Sequence, residues 1–202
     1  MKFKDAKKTF LIDVAIKLFL TDSIDKVTIK DIANEAGVGE MTIYRYFGKK
    51  QTIVKEAAIR LQGIVFKDYF NLDEGKSGYE KIKLFYETFL KVFISRPDFF
   101  KFIKEFDLNM MNEVDKDLQE YEDDLSRFKD LYLSAYQMGL KDKSIKEVKD
   151  VELFYFTSTH ALMELCKKLS YSQVVLPQDN KIEKVSELKC LIETILNMIK
   201  NS

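Results

Sequence analysis

Thr42, Tyr44, Arg45 and Tyr46 crowd hydroxyl, phenol and guanidinium groups into five residues, and Lys50 follows shortly after. Such groups suit phosphate oxygens and base edges, and Arg45 has the fork geometry that reads guanine. Short flanking elements must hold them. Thr28 is a hydroxyl N-cap with Asp31 three residues on, and Ile29, Ile32, Ala33 and Ala36 mark one apolar helical face. Gly37 ends that helix, because the position after a helix end needs a positive φ that glycine adopts without a Cβ clash. A second short helix is predicted from about Glu40 to Phe47. Ile32, Val38 and Ile43 close a small core between the two, and Ala33 lets their backbones approach. The pattern is helix-turn-helix. Lys49 and Lys50 then open a further helix, whose unpaired N–H groups and dipole favour an anion such as a DNA phosphate.

The run TIKDIANEAGVGEMTIYRYFGKKQTIV, from Thr28 to Val54, resembles the DNA-binding signature of the tetracycline-repressor (TetR) family of bacterial transcription regulators. The short helices, the glycine turn, the T-I-Y-x-Y-F core and the following lysine occur together in order. The resemblance covers roughly the first quarter of the chain; the rest matches in length and helical character. It implies an all-α fold, a helix-turn-helix head, a helical body that binds an effector, and a homodimer paired through a four-helix bundle. On these positions it implies that Tyr44 and Arg45 meet bases while Thr28, Thr42, Tyr46 and Lys50 hold phosphates of double-stranded DNA. Two residues depart from the pattern. Gly39 stands where Ser or Thr commonly caps the recognition helix, and Glu40 begins that helix with a charge that repels phosphate or accepts from a cytosine amine.

The 202 residues suffice for a buried core, with only two prolines, seven glycines and little β-branched alternation, so all-α is the expected class. Formal net charge is zero, which at first argues against a nucleic-acid binder. Local charge is the better guide. Residues 1–50 hold ten Lys/Arg against seven Asp/Glu, and compensating acids such as Glu120, Glu122, Asp123 and Asp124 lie further on. DNA binding should therefore depend on salt without being tenacious. Cys166 and Cys190 lack disulfide or metal spacing and read as buried small apolar residues. No apolar run approaches the ~20 residues needed to span a bilayer, so a cytoplasmic protein is expected.

In chain order, a helix from about Asp5 to Thr21 buries Ile12, Ala15, Ile16, Phe19 and Leu20, with Phe10 and Leu11 at the edge. A longer one from Lys50 to Phe70 follows. Gly75-Lys76-Ser77 imitates the end of a phosphate-binding loop, but the first glycine of that motif would fall at Phe70 and no strand precedes it, so 71–78 reads as a linker. The body reads as five helices: Tyr79 to Ser95, a short aromatic helix after Pro97, a long helix from about Asn112 to Met138 capped by Gly139, Val151 to Leu169, and, after a loop around Pro177, Ile182 to Ile199. In the long helix Val114, Leu118, Tyr121 and Leu125 begin a heptad-like stripe. About nine helices result.

The body carries many large rings. Tyr86, Phe89, Phe93, Phe102, Phe106, Tyr132, Tyr136, Phe154 and Tyr155 either fill a core or line an apolar pocket, with Tyr hydroxyls or His160 orienting a ligand. The family resemblance implies an effector site here, and the lack of an acidic cluster meant for a cation favours a small apolar effector that is neutral or weakly polar. His160 and Glu164 form an i, i+4 pair, yet a third metal ligand is missing and Ser158 points elsewhere on the helix, so neither a metal nor a hydrolytic site is expected. No cofactor is expected either. The sequence thus predicts a helix-turn-helix domain over 1–48 and a ligand-binding and dimerisation domain over 49–202. Its expected function is a dimeric, ligand-released repressor on a pseudo-palindromic operator, against an alternative of an apolar-ligand sensor or carrier with no role on DNA. An enzyme is not expected, because no convergent catalytic set exists.

Overall fold

A computed structural model describes residues 2–72, 77–111, 118–171 and 181–201. Among these residues the chain forms nine helices and no named strand, with one isolated antiparallel bridge between Ile145 and Lys200. The helices are α1 (Lys2–Thr21), α2 (Ile29–Glu35), α3 (Glu40–Phe47), α4 (Lys50–Tyr69) and α5 (Gly78–Ser95). They continue as α6 (Pro97–Met111), α7 (Gln119–Lys141), α8 (Val151–Leu169) and α9 (Lys184–Ile199). The fold is all-α. The Val114 position, Gly75-Lys76 and the loop around Pro177 lie outside the described residues.

The chain divides into two compact units. The first comprises residues 1–64 and 101–124, and the second 65–100 and 125–202. In the first unit α1 buries Leu11, Ile12, Val14, Ala15, Ile16 and Phe19, whereas Phe10 is half exposed. The apolar stripe thus lies one position further round than expected, with Leu11 central at 0 % exposure and Leu20 only partly covered. Ile24 and Val27 continue this core through the turn into α2. The C-terminal part of α6 joins it: Phe102 stacks on Phe19 at 6.3 Å, and the Ile24 N–H donates to Glu105 Oε2 at 2.9 Å. Ser23, just before, has φ of 111°, a conformation that a side chain disfavours.

In the second unit α8 and α9 pack on each other and on α5. Gly139 does not cap α7, as its spacing suggested. It lies inside the helix, against Gly78 at the start of α5, where a Cβ on Gly78 would strike the Gly139 backbone. The missing side chains allow two backbones to touch, and Gly78 N–H and Tyr79 N–H are satisfied by Asp142 Oδ2 (2.8 Å) and Ser144 Oγ (2.9 Å) from the segment after α7. Of the two cysteines, Cys166 is buried and burial pushes its thiol up to about 12. Cys190 is exposed on α9, which corrects the expectation that both are core: the buried face of α9 is set by Leu188, Ile192, Ile195 and Ile199, and position 190 falls on the other side.

Candidate functional site

Helices α2 and α3 pack as the sequence predicts, with Ile32, Ala33 and Ile43 no more than 1 % exposed and Val38 partly covered. The start of α2 is held by a reciprocal capping box. Asp31 N–H donates to Thr28 Oγ1 at 3.2 Å, and Thr28 N–H donates to Asp31 Oδ2 at 2.8 Å. Thr28 Oγ1 also donates to Asp31 Oδ2 at 2.7 Å, so this hydroxyl is already committed. Hydrogen bonds from Thr28 hold the Asp31 carboxyl below its ordinary range. Gly37 takes φ of 65° and ends the helix.

Helix α3 begins at Gly39, which offers no side-chain cap, and ends at Gly48 with φ of 72°. Its buried face is Ile43 and Phe47. The rest of its surface holds the groups with chemistry: Tyr44 and Arg45 are exposed, Thr42 and Tyr46 are partly covered, and the Arg45 guanidinium lies 5.8 Å from the Tyr46 ring centre. Lys50 is also partly covered. Its Nζ lies 3.5 Å from the Asp25 carbonyl oxygen, and burial lowers its pKa against the opposing pull of Asp25 and Asp31. Met41, which the sequence reading passed over, is 78 % exposed beside Thr42. An apolar residue off the core register of a short amphipathic helix was the available signal.

The rings expected to line a ligand site fall in different places. Tyr86, Phe89, Phe93, Tyr132, Tyr136 and Tyr155 are buried in the second unit, and Phe154 is partly covered there. Phe85, Tyr86, Tyr132 and Tyr155 meet mostly edge to face, with centroids 5.1 to 6.3 Å apart. Tyr86 and Ser158 hydroxyls lie 2.7 Å apart, and the Val148 N–H donates to the Tyr136 oxygen at 2.9 Å. Phe102 and Phe106 belong instead to the first unit, where Phe106 packs on Tyr121 at 4.7 Å, because α6 turns that face toward Phe19 and its neighbours. His160 is exposed, 5.7 Å from the ring of Phe156, and so is not among the buried rings. Glu164, its supposed partner, pairs with Lys167 at 2.7 Å.

Residues 11–57, from within α1 into α4, match the family model described as bacterial regulatory proteins, tetR family. The chain carries a TetR-family DNA-binding region. Its sequence is 26 % identical over 157 residues to the HTH-type transcriptional repressor KstR2 of Rhodococcus jostii, spanning 75 % of this chain and 74 % of that one. Among solved structures, the transcriptional regulator FadR of Bacillus subtilis, in complex with stearoyl-CoA, shares the fold with a TM-score of 0.69 at 19 % identity, covering 93 % of this chain and 97 % of that one. The ketosteroid transcriptional regulator KstR2 of Mycobacterium tuberculosis aligns over 96 % of this chain and 95 % of its own, with a TM-score of 0.59 at 13 % identity. These likenesses support a DNA-binding regulator, and α3 is the second helix of its helix-turn-helix.

Proposed function

We propose that the protein is a cytoplasmic homodimeric repressor that binds a pseudo-palindromic operator and leaves it when a small apolar effector enters the body. The observation that carries this reading is the outer face of α3, where Thr42, Tyr44 and Arg45 project beside Met41, opposite Ile43 and Phe47. Tyr44 and Arg45 meet base edges, and Met41 packs on a thymine methyl. Thr42, Tyr46 and Lys50 hold phosphates, Lys50 after its Nζ leaves the weak contact with the Asp25 carbonyl. Thr28 acts by its capping box and through a hydroxyl that must rotate from Asp31 to reach a phosphate. One head would bind weakly, and two joined heads gain by effective concentration.

The dimer reading is supported by apolar side chains left exposed on the last two helices. Leu153 and Phe156 sit with His160 along one stripe of α8, and Met198 projects from α9. The functional division into a head over 1–48 and a body over 49–202 belongs to the same reading. An apolar effector is supported by the aromatic cluster of the second unit and by a fold shared with the Bacillus subtilis regulator that is in complex with stearoyl-CoA.

Selection of sites from a random double-stranded DNA pool, followed by salt titration of the enriched sequence, tests the proposal. An enriched palindrome with steeply salt-dependent affinity is expected. Weak binding without sequence preference, from protein shown to be free of bound small molecules, would sink the operator reading in favour of a sensor or carrier.

A further inference from the structure

Round the axis of α3, Ile43 and Phe47 set the covered side. Thr42 and Tyr46 flank it on one side and are partly covered, whereas Glu40, Met41, Tyr44 and Arg45 form one continuous exposed strip. One member of that strip has the wrong sign for a DNA surface. Glu40 is an anion, placed one helical turn before Tyr44 and next to Met41.

Nothing local accounts for this carboxylate. Among the described residues it makes no hydrogen bond or ion pair, and α3 has no side-chain cap. Its attraction to the helix dipole remains, but at an exposed first turn that attraction is weak and screened by salt. The residue before it is equally unconstrained. Gly39 has φ of −76° and ψ of 148°, which any residue adopts, and a Cβ there would meet nothing within 4 Å. A bare backbone followed by an exposed anion leaves this end of α3 open to close approach from outside.

Beside DNA, a carboxylate is repelled by phosphates and accepts hydrogen bonds only from base donors. In the major groove those donors are the exocyclic amines of cytosine and adenine. Guanine presents two acceptors, and thymine an acceptor and a methyl group. Adenine sets its N7 acceptor beside its amine, where it opposes a carboxylate, so cytosine is the matching base.

We infer that Glu40 is a specificity-determining residue, whose carboxylate accepts from the N4 amine of one cytosine in each operator half-site. This rests on the operator-binding reading above and adds a base that Met41, Tyr44 and Arg45 do not choose. Repulsion from the phosphates acts in the same direction. It weakens binding to every sequence, and only the cytosine amine offsets it, so the anion sharpens discrimination.

The test is selection of sites from a random double-stranded DNA pool with the full-length parent, Glu40→Gln and Glu40→Ala. Both substitutions lie on the surface and leave the buried face of α3 intact. The parent should fix cytosine at one position of each half-site. Glu40→Gln keeps the shape but carries both a donor and an acceptor, so it should switch that position to adenine and leave the others unchanged. Glu40→Ala should accept all four bases there and bind scrambled DNA more tightly than the parent does. On duplexes differing at that single pair, the parent should favour cytosine over adenine by about tenfold, and Glu40→Gln should reverse the order. A residue that only stabilised the helix end would not move base preference. Identical preferences in parent and Glu40→Gln, or a uniform gain of affinity for all sequences, would overturn the inference and leave the operator reading standing. Failure of the parent to enrich any palindrome would remove both.

Discussion

At the residue scale, the proposed division of labour on α3 makes distinct predictions for two cations. Arg45 is exposed and carries a planar fork, so Arg45→Ala should cost about 1–3 kcal/mol on the preferred operator and relax base preference at one position. Lys50→Ala should weaken all sequences alike and reduce the salt slope by about one. Binding titrations on the operator and on scrambled DNA at several salt concentrations distinguish them, and unchanged binding by both variants would remove these residues from the interface. Ser23 supplies a stability test. With φ of 111° it occupies backbone space suited to glycine, so Ser23→Gly should stabilise the protein by about 1 kcal/mol in urea unfolding.

At the scale of elements, α2 is only seven residues long and cannot persist by propensity alone. Its ends and its buried Ile32 and Ala33 hold it. Thr28→Ala should therefore cost about 1 kcal/mol through the lost cap. The pH dependence of the same box follows from the lowered Asp31 pKa. A carboxyl whose folded pKa lies below its ordinary 3.8 contributes stability that is present above that value and is lost as pH falls through the folded pKa. Acid titration of stability should thus show a smaller decline below pH ~4 in Asp31→Asn than in the parent. Where α5 meets α7 the constraint is steric. Gly78→Ala sets a Cβ against the Gly139 backbone and should cost about 3 kcal/mol, whereas Gly139→Ala meets the end of the Ile145 side chain, which can turn aside at lower cost. Equal denaturation midpoints for the two variants would refute this ordering.

At the scale of the whole molecule, two compact units share the chain in an interleaved way. Helix α4 passes from one to the other between Ile64 and Val65, α6 between Phe100 and Lys101, and α7 between Asp124 and Leu125. The unit that carries the helix-turn-helix therefore also owns the C-terminal part of α6, tied to the turn after α1 by Glu105 and to α1 itself by Phe102. Assembly is the property testable at this scale. If the exposed stripe on α8 and the end of α9 pair across a two-fold axis, Phe156→Asp combined with Met198→Asp should yield a monomer in analytical ultracentrifugation. Affinity for the palindrome should collapse toward that for a half-site. A parent protein that is already monomeric at micromolar concentration would dismiss the dimer.

Local rules made the DNA-reading end legible. Helix α3 is found over Glu40–Phe47 as predicted, because the Thr28–Asp31 cap, the Gly37 turn and the Ile32–Ile43 spacing are all settled within a few residues of chain. The all-α class was equally visible in apolar periodicity. What periodicity could not assign was partnership. It gives the apolar face of a helix but not what that face meets, so Phe102 and Phe106 looked like pocket residues until α6 placed them against Phe19 and Tyr121. Gly139 looked like a helix end, though its lack of a side chain serves a neighbour sixty-one positions earlier, Gly78, rather than its own backbone. Cys190 and His160 sat in helical patterns that do not say which faces a later helix will cover.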